Sequence, residues 1–141
     1  MFDQFNVFSD SVNLTGTAIS DVLDLEGSLK RYGVELGLDN KLGTGTPIHV
    51  IVSCPTELDS AGDAADLVVS LETSDNADLS SSTVLAQTAA IDEGTATAAG
   101  ATLARFTLPQ NVAMGKYLGL RYTVTTEDFT SGTVFAALYI D

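Results

Sequence analysis

Lys116-Tyr117-Leu118-Gly119-Leu120-Arg121-Tyr122-Thr123-Val124-Thr125 is the stretch whose pattern decides the fold class. On an extended backbone Leu118, Leu120, Tyr122 and Val124 fall on one side, and Tyr117, Gly119, Arg121, Thr123 and Thr125 on the other. That alternation is the mark of a strand buried on one face. Ala101–Leu108 repeats it, with Thr102, Ala104, Phe106 and Leu108 opposite Leu103, Arg105 and Thr107. Thr133–Asp141 sets Val134, Ala136, Leu138 and Ile140 against Phe135, Ala137 and Tyr139. Asp66–Ser74 places Leu67, Val69, Leu71 and Thr73 on one face, with Val68, Ser70 and Glu72 on the other. Pro47–Cys54 is a β-branched apolar run bounded by Gly45 and Pro55, as expected of a buried strand.

Weaker strands are predicted at Phe5–Phe8, Ile19–Leu25 and Thr83–Ile91. Turn-rich segments lie between the strands: Asp59–Asp63, Ser74–Asp78, Gly94–Gly100 and Phe129–Gly132. The chain holds 17 Thr, 12 Ser and 12 Gly but only 3 Pro, a composition suited to pleated surfaces and tight turns. Leu29–Leu36 is the best helical candidate, yet Gly33 interrupts it and Gly37 closes it. Each interior Gly weakens a helix by about 1 kcal/mol. Ser28–Gly45 therefore reads as a long irregular connection with at most one turn of helix, of the kind that is functional or ordered by a partner. About eight short strands separated by turns predict an all-β antiparallel β-sandwich, with a jelly roll as first choice. The expected organisation is one domain over residues 1–141, with a docking segment at 1–10 and the long connection at 28–45.

The length of 141 residues suits one domain with a real core. Six Lys and Arg face 19 Asp and Glu, for a formal net charge of −13. That balance argues against nucleic acid, which demands a basic face, and against an anionic membrane surface. No window approaches the roughly 18 apolar residues of a spanning helix. Met1–Phe5 carries neither the basic nor the apolar region of a signal peptide, so the chain is expected to be intracellular when made. Cys54 is the single cysteine and forms no internal disulfide.

The search for chemistry returns little. His49 lies mid-strand, where a general base is possible and a histidine bonded in the sheet or facing solvent is the plainer reading. Cys54 follows five residues later. An odd separation puts the two on opposite faces of a regular strand, which argues against a dyad and for a buried, inert thiol. No Gly-x-Ser-x-Gly elbow is present. Gly43-Thr44-Gly45-Thr46-Pro47 leads into a strand and lacks a following Lys, so a turn explains it better than a phosphate loop. Carboxylates cluster at Asp59 with Asp63 and Asp66, Asp75 with Asp78, Asp92 with Glu93, and Glu127 with Asp128. None of these matches a known Ca²⁺ loop, and no metal is expected. Asn13-Leu14-Thr15 matches a glycosylation sequon in letters only. A sugar site would need exposed aromatic platforms; there is no Trp, and Tyr117 and Tyr139 are the outward-facing candidates.

In order along the chain, Phe8-Ser9-Asp10, Val22-Leu23-Asp24-Leu25 and Gly45-Thr46-Pro47-Ile48-His49-Val50-Ile51-Val52 are followed by Leu67–Asp75 and Ser80–Leu85. Arg105-Phe106-Thr107-Leu108-Pro109, Tyr117–Val124 and Phe129–Val134 complete the series. With these words in this order the sequence resembles a family of phage capsid cement (decoration) proteins, the single-domain type represented in a Bordetella short-tailed phage. Ser28–Leu42 is longer than the family pattern.

The resemblance implies a jelly-roll virion protein, made in the host cytoplasm, that sits on the outer surface of an icosahedral capsid and ties neighbouring major capsid proteins together. It implies no active site and no cofactor, so the chain is not expected to be an enzyme. Its partners would be the major capsid protein and its own copies, as a dimer or trimer, without nucleic acid or membrane. Acidity fits steering onto basic capsid patches. The alternative from another class is a carbohydrate- or receptor-binding jelly-roll module of a phage fibre.

Two stretches are candidates for the partner interface. Met1–Phe8 gathers Phe2, Phe5, Val7 and Phe8; as a plain edge strand it would expose one apolar face unless a second chain covered it. Its deletion is expected to abolish capsid binding and leave a β-rich domain. Ser28–Gly45 carries Lys30, Arg31 and Lys41, half of the chain's 6 basic residues.

Overall fold

Among the described residues every strand pair runs antiparallel, and the main pairs nest: the first strand bonds to the last, and each later strand to an earlier one further in. The computed structural model describes residues 7–25, 29–31, 34–36, 47–109 and 112–140, with the backbone alone for 29–31, 34–36, 95 and 140. The strands are β1 (Val7–Asn13), β2 (Ala18–Ile19), β3 (Leu23–Asp24), β4 (Leu29–Arg31), β5 (Val34–Leu36) and β6 (Ile48–Ser60). They continue with β7 (Asp66–Ser74), β8 (Thr83–Gln87), β9 (Ile91–Asp92), β10 (Ala101–Thr107), β11 (Tyr117–Thr125) and β12 (Phe129–Ile140). A single 3-10 turn at Thr95–Thr97 is the other regular element among the described residues.

One sheet has the order β1-β12-β6-β10, and the other β2-β11-β7-β8, with β3 also pairing β11 and β9 also pairing β7. Numbered by chain order, the eight main strands read 1-8-3-6 and 2-7-4-5. This is a long hairpin of paired strands rolled so that its two halves face each other, the connectivity of a jelly roll. The expected all-β sandwich stands.

The core lies between the sheets and draws on both. Val50, Val52, Cys54, Val134 and Ala136 come from one, and Leu67, Val69, Leu71, Leu118, Leu120 and Tyr122 from the other; each is at most 1% exposed. The inward set read from Lys116–Thr125 is buried in β11, and Gly119 of the outward set is buried with it. Burying side chains of this size stabilises by roughly 1.5–3 kcal/mol each, so the alternating rows supply the main drive for sheet stacking.

The elements differ from the sequence reading in several places, Thr83–Ile91 among them, which is split into β8 and β9. The first strand runs from Val7 to Asn13, beyond the expected end at Phe8, and Phe5 lies outside the described residues. Ile19–Leu25 is split into β2 and β3, because Ser20 replaces part of the ladder with its side chain. Its backbone N–H donates to the Leu120 carbonyl while its hydroxyl accepts from Leu120 N–H, both at 2.9 Å. The next residue, Asp21, donates its N–H to the Phe8 carbonyl in the opposite sheet.

β6 does not stop at Pro55. A register shift separates the pairs Phe135–Ser53 and Thr133–Thr56, and β10 ends its pairing at Cys54, so the missing N–H of proline falls at an irregularity. Phe129–Gly132 is the start of β12 rather than a turn. Its turn-like residues form bulges, and Gly132 at φ 104° passes so close to β6 that a Cβ there would lie 2.3 Å from the Glu57 carbonyl oxygen.

Within the 28–45 connection, β4 and β5 pair as a small hairpin, Leu29 opposite Leu36 and Arg31 opposite Val34. A strand pair therefore replaces the turn of helix allowed by the sequence.

Candidate functional site

His49 and Cys54 occupy opposite faces of β6, as their spacing requires. The Cys54 side chain points into the core at 0% exposure, where its thiol donates weakly to the carbonyl of Ala98 at 3.1 Å and lies 3.5 Å from those of Thr97 and Ala101. Burial pushes the thiol above its ordinary pKa and outweighs the backbone bonds that oppose it. A buried thiol in this setting is a poor nucleophile. His49 points outward, with Nδ1 3.0 Å from the Thr107 hydroxyl.

The outward face of the β1-β12-β6-β10 sheet can be read directly from its register. Thr107, His49 and Tyr139 form one row, and Arg105, Ile51, Ala137 and Val7 form the next. No carboxylate occurs in either row, although the chain carries 19. Tyr139 joins the rows: its ring lies 5.3 Å from the His49 ring, and the Arg105 guanidinium sits 5.4 Å from its centroid. Arg105 also donates Nε–H to the Tyr139 hydroxyl at 2.5 Å. The sequence marked Tyr139 as outward but gave no reason to join it to Arg105. Both are outward by alternation; only their diagonal placement on neighbouring sides of β6 brings them together.

The outward face of the second sheet carries a polar cluster that sequence reasoning missed. Glu72 is only 3% exposed, although alternation put it on the outer side. Its oxygens accept from Ser70 (2.7 Å), Ser82 (2.6 Å) and Arg121 Nε (3.1 Å to each oxygen). Arg121 Nη2 donates to the Leu79 carbonyl at 3.0 Å, tying the β7–β8 loop across the sheet.

Gly119 leaves room for that loop, since a Cβ there would meet Leu79 Cδ1 at 3.0 Å and Val22 Cγ1 at 2.9 Å. Burial by itself would raise the Glu72 pKa; the hydroxyls of Ser82 and Ser70 and the Arg121 guanidinium outweigh it and hold the carboxyl below the usual value. Every group in this network has a protein partner, which makes it a structural clamp.

Several of the carboxylates singled out in the sequence are engaged by nearby donors. Asp66 accepts from the Thr126 hydroxyl at 3.0 Å, Asp75 from Lys116 N–H at 3.2 Å, and Asp78 from Ser80 N–H at 2.9 Å. Asp59, Asp63 and Glu93 do converge, each offering an oxygen within 4.8 Å of the others. Glu93 is engaged by Ser60 N–H at 2.6 Å, the Ser60 hydroxyl at 2.5 Å and Ala65 N–H at 3.2 Å. The Ser60 hydroxyl also lies 3.0 Å from the Glu127 carboxylate and shares its one hydrogen between the two acids, at the corner where β6, β9 and the β11–β12 turn meet.

Of the candidate interface residues, Phe2, Phe5 and Lys41 lie outside the described residues, as do the side chains of Lys30 and Arg31 in β4. Val7 is half-buried on the outward face. Phe8 departs from its expected role. It is 0% exposed and belongs to the core, because the register of β1 turns it toward the opposite sheet and Ser9 follows it inward. Tyr117, the other proposed platform, is half-buried, with the Lys116 ammonium 5.3 Å from its ring centroid.

No curated protein matches the chain. Residues 8–138 match the Bbp16 family, named for a Bordetella phage protein, and the matched stretch runs from β1 into β12. With the double sheet thus matched almost from end to end, the chain belongs to the Bbp16 family.

Proposed function

We propose that this chain is a structural virion protein that binds the outer surface of an icosahedral phage capsid and cements neighbouring major capsid proteins. The observation that carries this reading is that the match to a phage-protein family spans the whole jelly roll, so the double sheet itself is what the family shares. The residues read as catalytic candidates point the same way: His49 and Cys54 face apart, and the Cys54 thiol is sealed in the core. Such a protein acts by mass action. Binding the expanded shell better than the ruptured one stabilises it by about 2.7 kcal/mol per site at a free concentration of about 100 Kd. The net charge of −13 favours approach to basic patches on the shell and keeps copies apart before they bind.

The alternative, a sugar- or receptor-binding module, calls for a bare aromatic platform. Tyr139 is flanked by Arg105 and His49, and Tyr117 lies beside Lys116, which leaves that reading without its main support.

The test is co-sedimentation of the purified protein with undecorated, expanded heads of the cognate phage, followed by heating with and without it. Saturable binding together with a higher temperature of genome release is the expected result. Absence of binding, or binding without stabilisation, overturns the proposal, and glycan arrays would then test the alternative.

A further inference from the structure

One end of the outward β1-β12-β6-β10 face differs in charge from the chain as a whole, although exposed Glu57 and Asp59 stand further along β6. Two adjacent register rows carry Val7, Ala137, Ile51, Arg105, Thr107, His49 and Tyr139, and no acid. Interfaces between proteins are enriched in Arg and aromatic residues and depleted in Asp and Glu, so this composition fits a contact surface better than a solvated one.

Arg105 is the distinctive member. Arg121 is neutralised by Glu72 at 3.1 Å, whereas no carboxylate lies within ion-pair distance of exposed Arg105 among the described residues. Nor is its side chain loose. The bond from Nε to the Tyr139 hydroxyl and the ring 5.4 Å from its carbon hold the guanidinium in place. Among the described residues Nη1 and Nη2 donate to no acceptor. A guanidinium fixed through Nε and ring contact loses little further freedom when a planar, two-oxygen anion arrives, and that is the geometry of a bidentate carboxylate pair. A polyanion such as DNA would meet the repulsion of a −13 chain along its whole length. A single carboxylate set in a protein surface would not.

We propose that the Arg105–Tyr139 pair is the receptor for a carboxylate on the major capsid protein, and that the β1-β12-β6-β10 sheet faces the shell there. This rests on the cement reading above. Arg105 supplies the fork, Tyr139 orients it, and Ile51 and Thr107 flank it on the neighbouring registers.

The experiment is quantitative binding of wild type, Arg105→Lys, Arg105→Gln, Arg105→Glu, Tyr139→Phe, the double variant Arg105→Gln with Tyr139→Phe, and Lys116→Glu to undecorated, expanded heads, with a thermal melt of each free protein. Arg105→Glu is expected to weaken binding by about thirtyfold or more, the scale of losing one partner of a desolvated charge pair. Arg105→Lys should lose several-fold, because it keeps the charge and loses the fork. Tyr139→Phe should also lose several-fold, and nothing further when combined with Arg105→Gln.

Lys116→Glu makes the same change in net charge elsewhere and should bind within about twofold of wild type. Wild-type binding that Arg105→Glu leaves unchanged, or that Lys116→Glu weakens equally, overturns the receptor while sparing the cement reading. Failure of wild type to bind at all overturns both. If Arg105→Glu melts abnormally, Arg105→Gln and Tyr139→Phe decide the matter, with their non-additivity as the criterion.

Discussion

The Ser9 hydroxyl and the Tyr122 phenol meet at 2.9 Å inside the core, 113 residues apart in sequence. Ser9 belongs to the edge strand β1 of one sheet and Tyr122 to β11 of the other, so this bond crosses the sandwich. Tyr122 is 1% exposed and Ser9 also 1%, and each satisfies the other's only polar side-chain group. Such a pair adds little net energy and much specificity, since a slipped register would bury two unsatisfied hydroxyls.

Tyr122→Phe is therefore expected to destabilise the protein by about 1–2 kcal/mol, read as a fall of a few degrees in Tm. Burial pushes the Tyr122 phenol up to about 12, partly offset by Ser9. The neutral phenol is the form the fold favours. Its contribution is complete below about pH 10, the unfolded value, and is lost as pH rises from there through about 12. Ultraviolet titration should show one tyrosine ionising only as the protein unfolds in base; a native-state transition near pH 10 for all 4 tyrosines would contradict this.

Glu72 has the opposite sign. With its carboxyl held below the ordinary value, its stabilising contribution is full above about pH 4.5 and is lost as pH falls through the lower folded value. Glu72→Ala strands Arg121 and two hydroxyls, and should cost roughly 3 kcal/mol and loosen the β7–β8 loop. Removing both ends, as Glu72→Leu with Arg121→Leu, should cost less than Glu72→Ala. Urea melts of the two variants at pH 7, and of the parent between pH 3 and 7, check both expectations.

Phe8→Ala is expected to cost about 3–5 kcal/mol, because the side chain is wholly enclosed in the core. Deleting Met1–Phe8 should thus lower Tm strongly instead of leaving a stable domain that merely fails to bind. An unchanged melt after that deletion would place Phe8 outside the core.

Gly132→Ala tests the bulge at the start of β12. A methyl group at φ 104° would sit 2.3 Å from the Glu57 carbonyl oxygen and 2.7 Å from Leu58 Cα, both backbone atoms that cannot swing aside. The expected outcome is a loss of several kcal/mol or failure to fold, whereas Gly94→Ala, at φ 115° with no heavy atom within 4 Å, should pay for the conformation alone. Comparable melts for the two variants would show that close approach is not the constraint.

By itself the sequence determined the strand-rich class, the inward rows of β7, β11 and β12 and the opposite faces of His49 and Cys54. Each follows from the two-residue period of an extended chain, a local property that burial on one side writes into the order of residues. The family resemblance likewise rested on strand and turn words in order, and the Bbp16 match over residues 8–138 agrees with it at the level of the family.

What only the tertiary structure decided is which outward residues meet. Glu72 reads as an exposed strand residue until the β7–β8 loop closes over it through Leu79 and the gap at Gly119. Phe8 reads as a sticky terminus until β1 pairs with β12, and Phe129–Gly132 as a turn until bulges carry it along β6. Arg105 and Tyr139 are 34 residues apart, and they touch because β10 and β12 flank β6. Alternation along a strand is set by backbone geometry within a few residues. Pairing across strands is set by the register of distant segments, which a competition among whole-chain packings decides.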